Sequence, residues 1–180
     1  MNFWDAAFVL LDLLRHVGLN QGDNRPIRFA RAPVHANRSI TQRGHENDQD
    51  EWLRYGAGVW VASARGVTLA RIRARNGQNG LCLSRVDDSR VHDCDIRFMS
   101  GWGLAMWRSC RNEVAHNRFD WCIRGFSHRV YHRGQDSAGI LVYEQSSENT
   151  FAYNSATHSG DGFFLWAGQT TMDTGEGGCN

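Results

Sequence analysis

Lysine is absent from the 180-residue chain, so all 20 of its basic residues are arginine. This excludes a lysine Schiff base or a Walker-type phosphate lysine within the chain. Charge of one sign is also lacking, because 19 acidic residues leave a net charge of +1, and no overall field attracts nucleic acid. The longest apolar run, Ala6 to Leu14, is nine residues and contains Asp12. A spanning helix needs roughly 20 residues, so we predict no nucleic-acid partner and no membrane span.

Proline is scarce, and both prolines fall in a polar stretch without periodicity, residues 19–54. Before it, apolar residues recur at spacings of three and four, at Phe3, Ala7, Leu10, Leu14 and Val17. We therefore predict an N-terminal amphipathic helix over 3–17, within region 1–18, that acts as a cap. An irregular linker or arm over 19–54 and a repeat domain over 55–180 follow. The five cysteines form no C-x-x-C pair, and we interpret them as buried free thiols.

Glycine is frequent, and five glycines each begin a segment of alternating apolar residues. They are Gly58, Gly80, Gly103, Gly139 and Gly162. The intervals are 22, 23, 36 and 23 residues, and the long interval is 23 plus a 13-residue insertion within 123–137. Other columns repeat in step, such as Leu69, Val91, Val114 and Phe151. Columns that repeat together indicate a solenoid built from one structural unit.

A period near 23 residues accommodates three short strands and their turns. The β-branched and aromatic alternation favours strands over the helical half of a leucine-rich repeat. Stacked coils would lie about 4.8 Å apart, the spacing of strands in a sheet. We predict an all-β parallel β-helix of about four to five coils, with Asn117 and Asn154 in an asparagine ladder at a turn. Because no capping segment follows the fifth coil, we expect a fragment of a longer solenoid.

Four segments carry a family resemblance: NGLCLSRVDDSRVHDCDI, WGLAMWRSCRNEVAHNRF, AGILVYEQSSENTFAYNSA and DGFFLW. They resemble the repeats of right-handed parallel β-helix proteins of the pectin-lyase-like superfamily. That group includes carbohydrate-binding and sugar-hydrolase β-helices and periplasmic copper-processing NosD-type proteins. The resemblance covers about residues 56 to 168. It implies an extracellular or periplasmic protein that acts on an acidic polysaccharide by lysis, hydrolysis or epimerisation.

A stripe of aromatic residues is predicted on the outer face of the repeats. If the first and third residues after each glycine face inward, the fourth faces out. In the third to fifth coils that position holds Trp107, Tyr143 and Trp166. An exposed apolar stripe marks a ligand or partner surface. We interpret it as a sugar-stacking platform, with burial under another segment and self-association as the alternatives.

The inserted loop 123–137 holds the densest group of polar side chains. Arg129 and Arg133 suit a carboxylate, since guanidinium groups bind carboxylates in a bidentate manner. Histidine is the side chain most often used as a general base, so His128 or His132 could take that role. With Asp136 and Glu144 they form the predicted catalytic group. The predicted substrate-binding group is Trp107, Arg108, Arg129, Arg133, Tyr143, His158, Asp161 and Trp166.

Three function classes therefore stay open from the sequence. The first is a carbohydrate-active β-helix that binds and cleaves or epimerises an acidic polysaccharide, and the second is a non-catalytic glycan-binding or structural module. The third is metal handling like that of NosD-type proteins, since His128, His132 and Asp136 are spaced by four residues and are ligand types. No metal site is assigned; the one cofactor considered is calcium, held by Asp161 and Glu144. Arg71, Arg73 and Arg75 alternate along one strand and are interpreted as a solvated face.

Overall fold

The computed structural model describes residues 17–18 and 56–176. Within them the chain forms twelve strands and one short helix, α1 (Gly168–Thr174). The strands are β1 (Val17–Gly18), β2 (Ala57–Arg65), β3 (Thr68–Ala70), β4 (Arg73–Arg75), β5 (Asn79–Asp87), β6 (Arg90–His92), β7 (Asp95–Arg97), β8 (Trp102–Trp107), β9 (Glu113–Ala115), β10 (Ala138–Tyr143), β11 (Thr150–Ala152) and β12 (Asp161–Trp166). No helix of this described part is long and apolar enough to cross a membrane.

The strands stack into three sheets that run along a solenoid. Sheet 1 has the order β12-β10-β8-β5-β2, sheet 2 the order β1-β3-β6-β9-β11, and sheet 3 pairs β4 with β7. Every pairing from β2 onward is parallel. Sheet 1 contributes one strand to each of five coils. The predicted parallel β-helix is therefore confirmed.

The predicted inward columns line the core. Val59, Leu81, Leu104, Ile140 and Phe163 pair in one continuous register across sheet 1. The first four are buried, whereas Phe163 in the last coil is half-exposed. Cys82, Cys94 and Cys122 are free and buried, as predicted. Cys110 is disulfide-bonded, so the prediction of a free thiol there was wrong. Burial raises the pKa of the Cys82 thiol to about 12 and those of Cys94 and Cys122 to about 11, so these thiols stay protonated at neutral pH.

Polar ladders hold the turns between coils. The predicted ladder is confirmed, because Asn117 donates from Nδ2 to Oδ1 of Asn154 at 3.0 Å. A second ladder, which the sequence analysis missed, has the same contact between Asn112 and Asn149 at 3.0 Å. Both ladders also receive backbone N–H donors from the neighbouring coil. Buried turn amides are thus paired without water, as closely packed coils require.

The corners of the coils use left-handed backbone at residues other than glycine. One corner column holds Arg71, Asp93, His116 and Tyr153, each with φ between 55° and 57°. Another holds Ser63, Arg85, Arg108 and Glu144, with φ between 46° and 53°. The same turn thus recurs once per coil, with the backbone hydrogen bonds of neighbouring coils offsetting the cost of this conformation.

The predicted N-terminal elements lie mostly outside the described residues. These are the helix over 3–17, apart from its last residue, and the irregular arm over 19–54. At Val17, where the helix was predicted to end, the structure has strand β1, which pairs antiparallel with β3 through Val17 and Leu69. The helix over 3–17 therefore stays a prediction, although its last residue lies in a strand. An apolar residue beside Gly18 can equally extend a sheet edge when a partner strand is available.

Asp120 is a buried carboxylate that links two coils. Burial tends to raise its pKa, but hydrogen bonds from Ser155 and Thr157, with the nearby charge of Arg118, outweigh this and hold the pKa below 3.8. A lowered folded-state pKa stabilises the protein above the unfolded-state value and loses that contribution as pH falls through the folded value. We predict that Asp120→Asn flattens the loss of stability below about pH 4. Urea unfolding at several pH values measures the free energy of unfolding. Asp173→Asn on exposed α1 is the control for loss of a charge. If the free energy of unfolding of Asp120→Asn fell with pH as steeply as that of the unsubstituted protein, the prediction would be contradicted.

Candidate functional site

The predicted site residues fall at the two ends of the strands of sheet 1. Asp136 comes two residues before β10, and Asp161 begins β12. Glu144 directly follows the last residue of β10. At about 3.3 Å per residue, a strand of this length separates Glu144 from Asp136 and Asp161 by about 20 Å. The predicted catalytic group is therefore not brought together in one cleft, because its members lie at opposite ends of the strands of sheet 1.

Arg124 braces the inserted loop from within. Its guanidinium lies 4.3 Å from the ring centre of Tyr131 and donates to the carbonyl of Asp136 at 3.1 Å. The backbone N–H of Gly134 donates to the Arg124 carbonyl at 2.8 Å. Ser127 and Tyr131 form an antiparallel bridge. These contacts close the loop on itself and give its backbone a defined shape.

The loop is also attached to the coil that follows it. Ser137 accepts at Oγ from the Arg124 N–H at 3.1 Å and donates to the Gly134 carbonyl at 2.8 Å. Its own carbonyl accepts from the Asp161 N–H at 3.0 Å. The loop is therefore fixed at the end of sheet 1 where β10 and β12 begin.

The polar side chains predicted to bind or react on this loop point to solvent. His128, Arg129, His132, Arg133 and Asp136 are all exposed. His128 and Arg129 belong to the segment between the bridged residues Ser127 and Tyr131, whereas the backbone N–H of His132 donates to Oε1 of Gln135 at 3.0 Å. Two arginines and two histidines are thus exposed on one braced loop, where the guanidinium groups supply positive charge and can bind carboxylates. We refer to His128, Arg129, His132 and Arg133 as the cationic loop face.

His158 belongs to an aromatic column that the sequence analysis missed. Its ring stacks on Trp121 at 4.1 Å, and Trp121 stacks on Phe98 at 6.2 Å. All three occupy the same left-handed corner in successive coils, with φ between 56° and 60°. Rings stacked along the solenoid cover one another's faces, so the column offers mainly ring edges to solvent. The shared corner position in the repeat was the signal that could have identified it.

The outer stripe is not the exposed platform that was predicted. Trp107 and Tyr143 are buried, and only Trp166 is exposed, at 44%. Tyr143 and Trp166 stack with ring centres 5.8 Å apart, and the guanidinium groups of Arg85 and Arg108 lie 4.5 and 4.6 Å from the Trp107 ring centre. The prediction failed because adjacent coils bring large outward side chains close enough to cover each other.

Glu144, at the end of sheet 1 where β10 ends, is enclosed by other residues. It is 1% exposed, and neither carboxylate oxygen accepts a hydrogen bond. Arg108 approaches to 3.6 Å and also donates to Oγ1 of Thr170 in α1 at 3.1 Å. Gly168 of α1 contacts the carboxylate so closely that a Cβ there would overlap it. A carboxylate enclosed in this way cannot reach a polymeric substrate.

The metal hypotheses find no support in the arrangement of the described residues. Among residues 56–176, no three His, Cys, Asp or Glu side chains converge to hold a metal ion. Asp161 and Glu144 cannot share a calcium ion, because they lie at opposite ends of adjacent parallel strands. Calcium ligands must lie within about 2.6 Å of the ion. This pair therefore does not form the calcium site that was considered from the sequence.

One comparison with known proteins identifies a family. The family model described as "Right handed beta helix region" matches residues 46–174. No curated protein and no solved structure matches the chain. The family match agrees with the parallel coils and adds their right-handed sense.

Proposed function

The chain belongs to the right-handed β-helix family, and on this premise we propose that it binds an acidic polysaccharide without cleaving it. The cationic loop face is the contact surface. The proposal includes the extracellular or periplasmic location that the resemblance implies. It rests on one observation: four exposed cationic or titratable side chains stand on a loop whose backbone is braced by Arg124 and Ser137.

The chemistry of the cationic loop face favours carboxylates. Guanidinium groups bind carboxylates through paired, charge-assisted hydrogen bonds, which are about twice as strong as neutral ones. A polyuronate repeats such carboxylates along its chain, so several weak contacts act together. The bracing contacts of the loop reduce the ordering cost of binding, because its backbone is already held.

The position of the remaining polar groups favours binding over cleavage. Lysis or hydrolysis needs an acid and a base within hydrogen-bond reach of one substrate bond. The loop histidines and Glu144 are separated by the length of a sheet 1 strand, and Glu144 is closed off by Arg108 and α1. The non-catalytic alternative is therefore the better supported of the classes that the sequence left open.

We predict that Arg129→Ala/Arg133→Ala lowers the affinity for polygalacturonate by about a hundredfold, since each of the two charge-assisted contacts contributes on the order of 1.5 kcal/mol. The matched control is Arg65→Ala/Arg90→Ala, which removes two exposed arginines from the coils rather than the loop. Calorimetric titration of both variants against polygalacturonate and neutral dextran, at low and high salt, measures the effect. Weakened binding at high salt is expected for exposed charges.

Two results would contradict this proposal. Equal loss of affinity in both double variants would show that only total charge matters, and equal binding of dextran would remove the role of carboxylates. Incubation with polygalacturonate should release neither unsaturated nor reducing ends. Turnover that disappears in His132→Ala would instead establish the catalytic alternative.

A further inference from the structure

The outer face of sheet 1 is buried, although no layer of the described residues lies over it. Its side chains form a second apolar cluster, separate from the core inside the coils: Ala57, Trp60, Cys82, Trp102, Ala105, Trp107, Ala138, Leu141 and Tyr143. Every member belongs to a strand of sheet 1. Within residues 56–176, the further apolar residue packed on the cluster is Ala62, which belongs to the same sheet. An apolar sheet face is stable when another layer of the protein covers it.

The small side chains in the middle of this face show that it is covered. Cys82 and Ala105 are 0% exposed and Leu141 is 2% exposed in a single chain. Side chains of adjacent coils cover the flanks of these residues, but they leave open the direction that points away from the sheet. Helix α1 lies where the strands of sheet 1 end, through Thr170 and Thr171, and the inserted loop lies where they begin. The middle of the face therefore needs a cover from outside the described ranges.

The path of the chain restricts which residues can supply this cover. Gly18 lies opposite Thr68 in an antiparallel pair. The chain after Gly18 therefore runs toward the turn that follows β2, whereas the chain before Val17 runs in the direction of sheet 3. The next described residue, Gly56, directly precedes β2. Residues 19–55 thus connect a point beside the end of β2 to its beginning.

This connection is long enough to cross the outer face of several coils. Strand β2 has nine residues and is about 30 Å long at 3.3 Å per residue. A path that also reaches the fourth coil and returns adds about 30 Å, because coils lie about 4.8 Å apart. About 18 extended residues would follow such a path, and the connection has 37 residues.

We infer that residues 19–45 pack on the outer face of sheet 1 as an intramolecular cover, with Ile27, Phe29 and Val34 in contact with the face. The match to the β-helix family begins at residue 46, so the covering segment precedes the repeats. Removal of these three large apolar side chains from water favours the packing. A second copy of the chain is not required, because one copy already buries the face. The aromatic stripe is then a contact surface for the chain itself rather than for a glycan.

The free thiol of Cys82 can report on the cover. Cys82 lies on the outer face, whereas Cys94 and Cys122 lie in the core inside the coils. In the full chain, Ile27→Asp/Phe29→Asp should raise the alkylation rate of Cys82 by at least about tenfold, because buried charges weaken the packing and local opening exposes the thiol. Cys94 and Cys122 should keep the rates of the unsubstituted protein. Mass spectrometry after timed exposure to iodoacetamide measures each thiol separately.

Asn37→Asp/Gln42→Asp is the matched control, since it adds two acidic side chains to the same segment without removing an apolar one. It should leave the alkylation rate of Cys82 unchanged. If the rate at Cys82 were the same in both double variants, the inference would be overturned. Reaction of the two core thiols would show that the coils have unfolded, and crosslinking of a chain with an intact covering segment then decides.

Photocrosslinking identifies what lies on the face. Replacement of Ala62, which is half-buried beside the cluster, by p-benzoylphenylalanine should give a crosslink to residues 19–45 of the same chain. The same group in place of Thr150, which is exposed on sheet 2, should not. A product of twice the chain mass would identify a second copy as the occupant. That result, or the lack of any crosslink from position 62 to residues 19–45, would overturn the inference.

Discussion

Gly103→Ala is expected to destabilise the protein by about 3 kcal/mol, because overpacking of a tight core costs typically 1–3 kcal/mol and backbone cannot yield as a side chain can. A Cβ at Gly103 would lie 2.6 Å from the carbonyl oxygen of Gly139 in the next coil. It would also lie 2.9 Å from Cβ of Phe119 and 3.0 Å from Sγ of Cys122. Urea unfolding followed by far-ultraviolet circular dichroism measures the change.

Gly125→Ala is the matched control for this substitution. A Cβ at Gly125 would meet nothing within 4 Å, so the same chemical change should alter stability by no more than about 0.5 kcal/mol. If Gly103→Ala were as mild as Gly125→Ala, the coils would have to separate locally without cost, and the steric account of the repeat glycines would fail.

The same contact explains why the repeat could be predicted from the sequence. At Gly80, Gly103 and Gly139 a Cβ would crowd the carbonyl oxygen of the next repeat glycine. Coils stacked at sheet spacing thus exclude a side chain at this position, and the exclusion leaves a column of glycines in the sequence. The alternating apolar residues that follow each glycine record the two faces of sheet 1. Fold and register were therefore accessible from the sequence alone.

The candidate site was less accessible, because it depends on distances across a coil. His132 and Glu144 are 12 residues apart in sequence. This spacing did not show that β10 lies between them and places them beyond opposite ends of one strand. The burial of Trp107 was also hidden, since it depends on Arg85 from the preceding coil. The periodic pattern identifies which residues share a column, but it does not show whether neighbours cover them.

One of the two asparagine ladders was predicted from the sequence, and the other was not. Asn117 and Asn154 could be matched because they occupy equivalent places in the repeat. Asn112 and Asn149 occupy equivalent places as well, 37 residues apart like Asn117 and Asn154, so the same signal for a second ladder was present in the sequence. In the preceding coil Ser89 stands at this position, where its Oγ accepts from the Val67 N–H at 2.9 Å, so the column keeps its role while the residue type changes.

In the predicted ladder, Asn117 forms side-chain hydrogen bonds to backbone groups that water cannot reach. Its Oδ1 accepts from the Cys94 N–H at 2.9 Å, and its Nδ2 donates to the Val91 carbonyl at 2.9 Å and to Asn154. The side chain is buried, so water cannot replace it. Two buried backbone groups would lose their partner in Asn117→Ala, at about 1–3 kcal/mol each, and we expect a loss of about 4 kcal/mol in the free energy of unfolding.

Asn154→Ala provides the comparison that separates this explanation from a simple count of hydrogen bonds. Asn154 accepts from the Asn117 N–H at 3.0 Å and donates to the Val114 carbonyl at 2.7 Å, so it also joins adjacent coils. Because Asn154 is only half-buried, water can reach the groups it leaves, and its replacement should cost about half as much. Urea unfolding of both variants should rank Asn117→Ala as the more destabilised, since the cost of an unpaired amide depends on whether solvent can enter the coil. Equal losses, or the reverse order, would show that burial does not determine the contribution of this ladder.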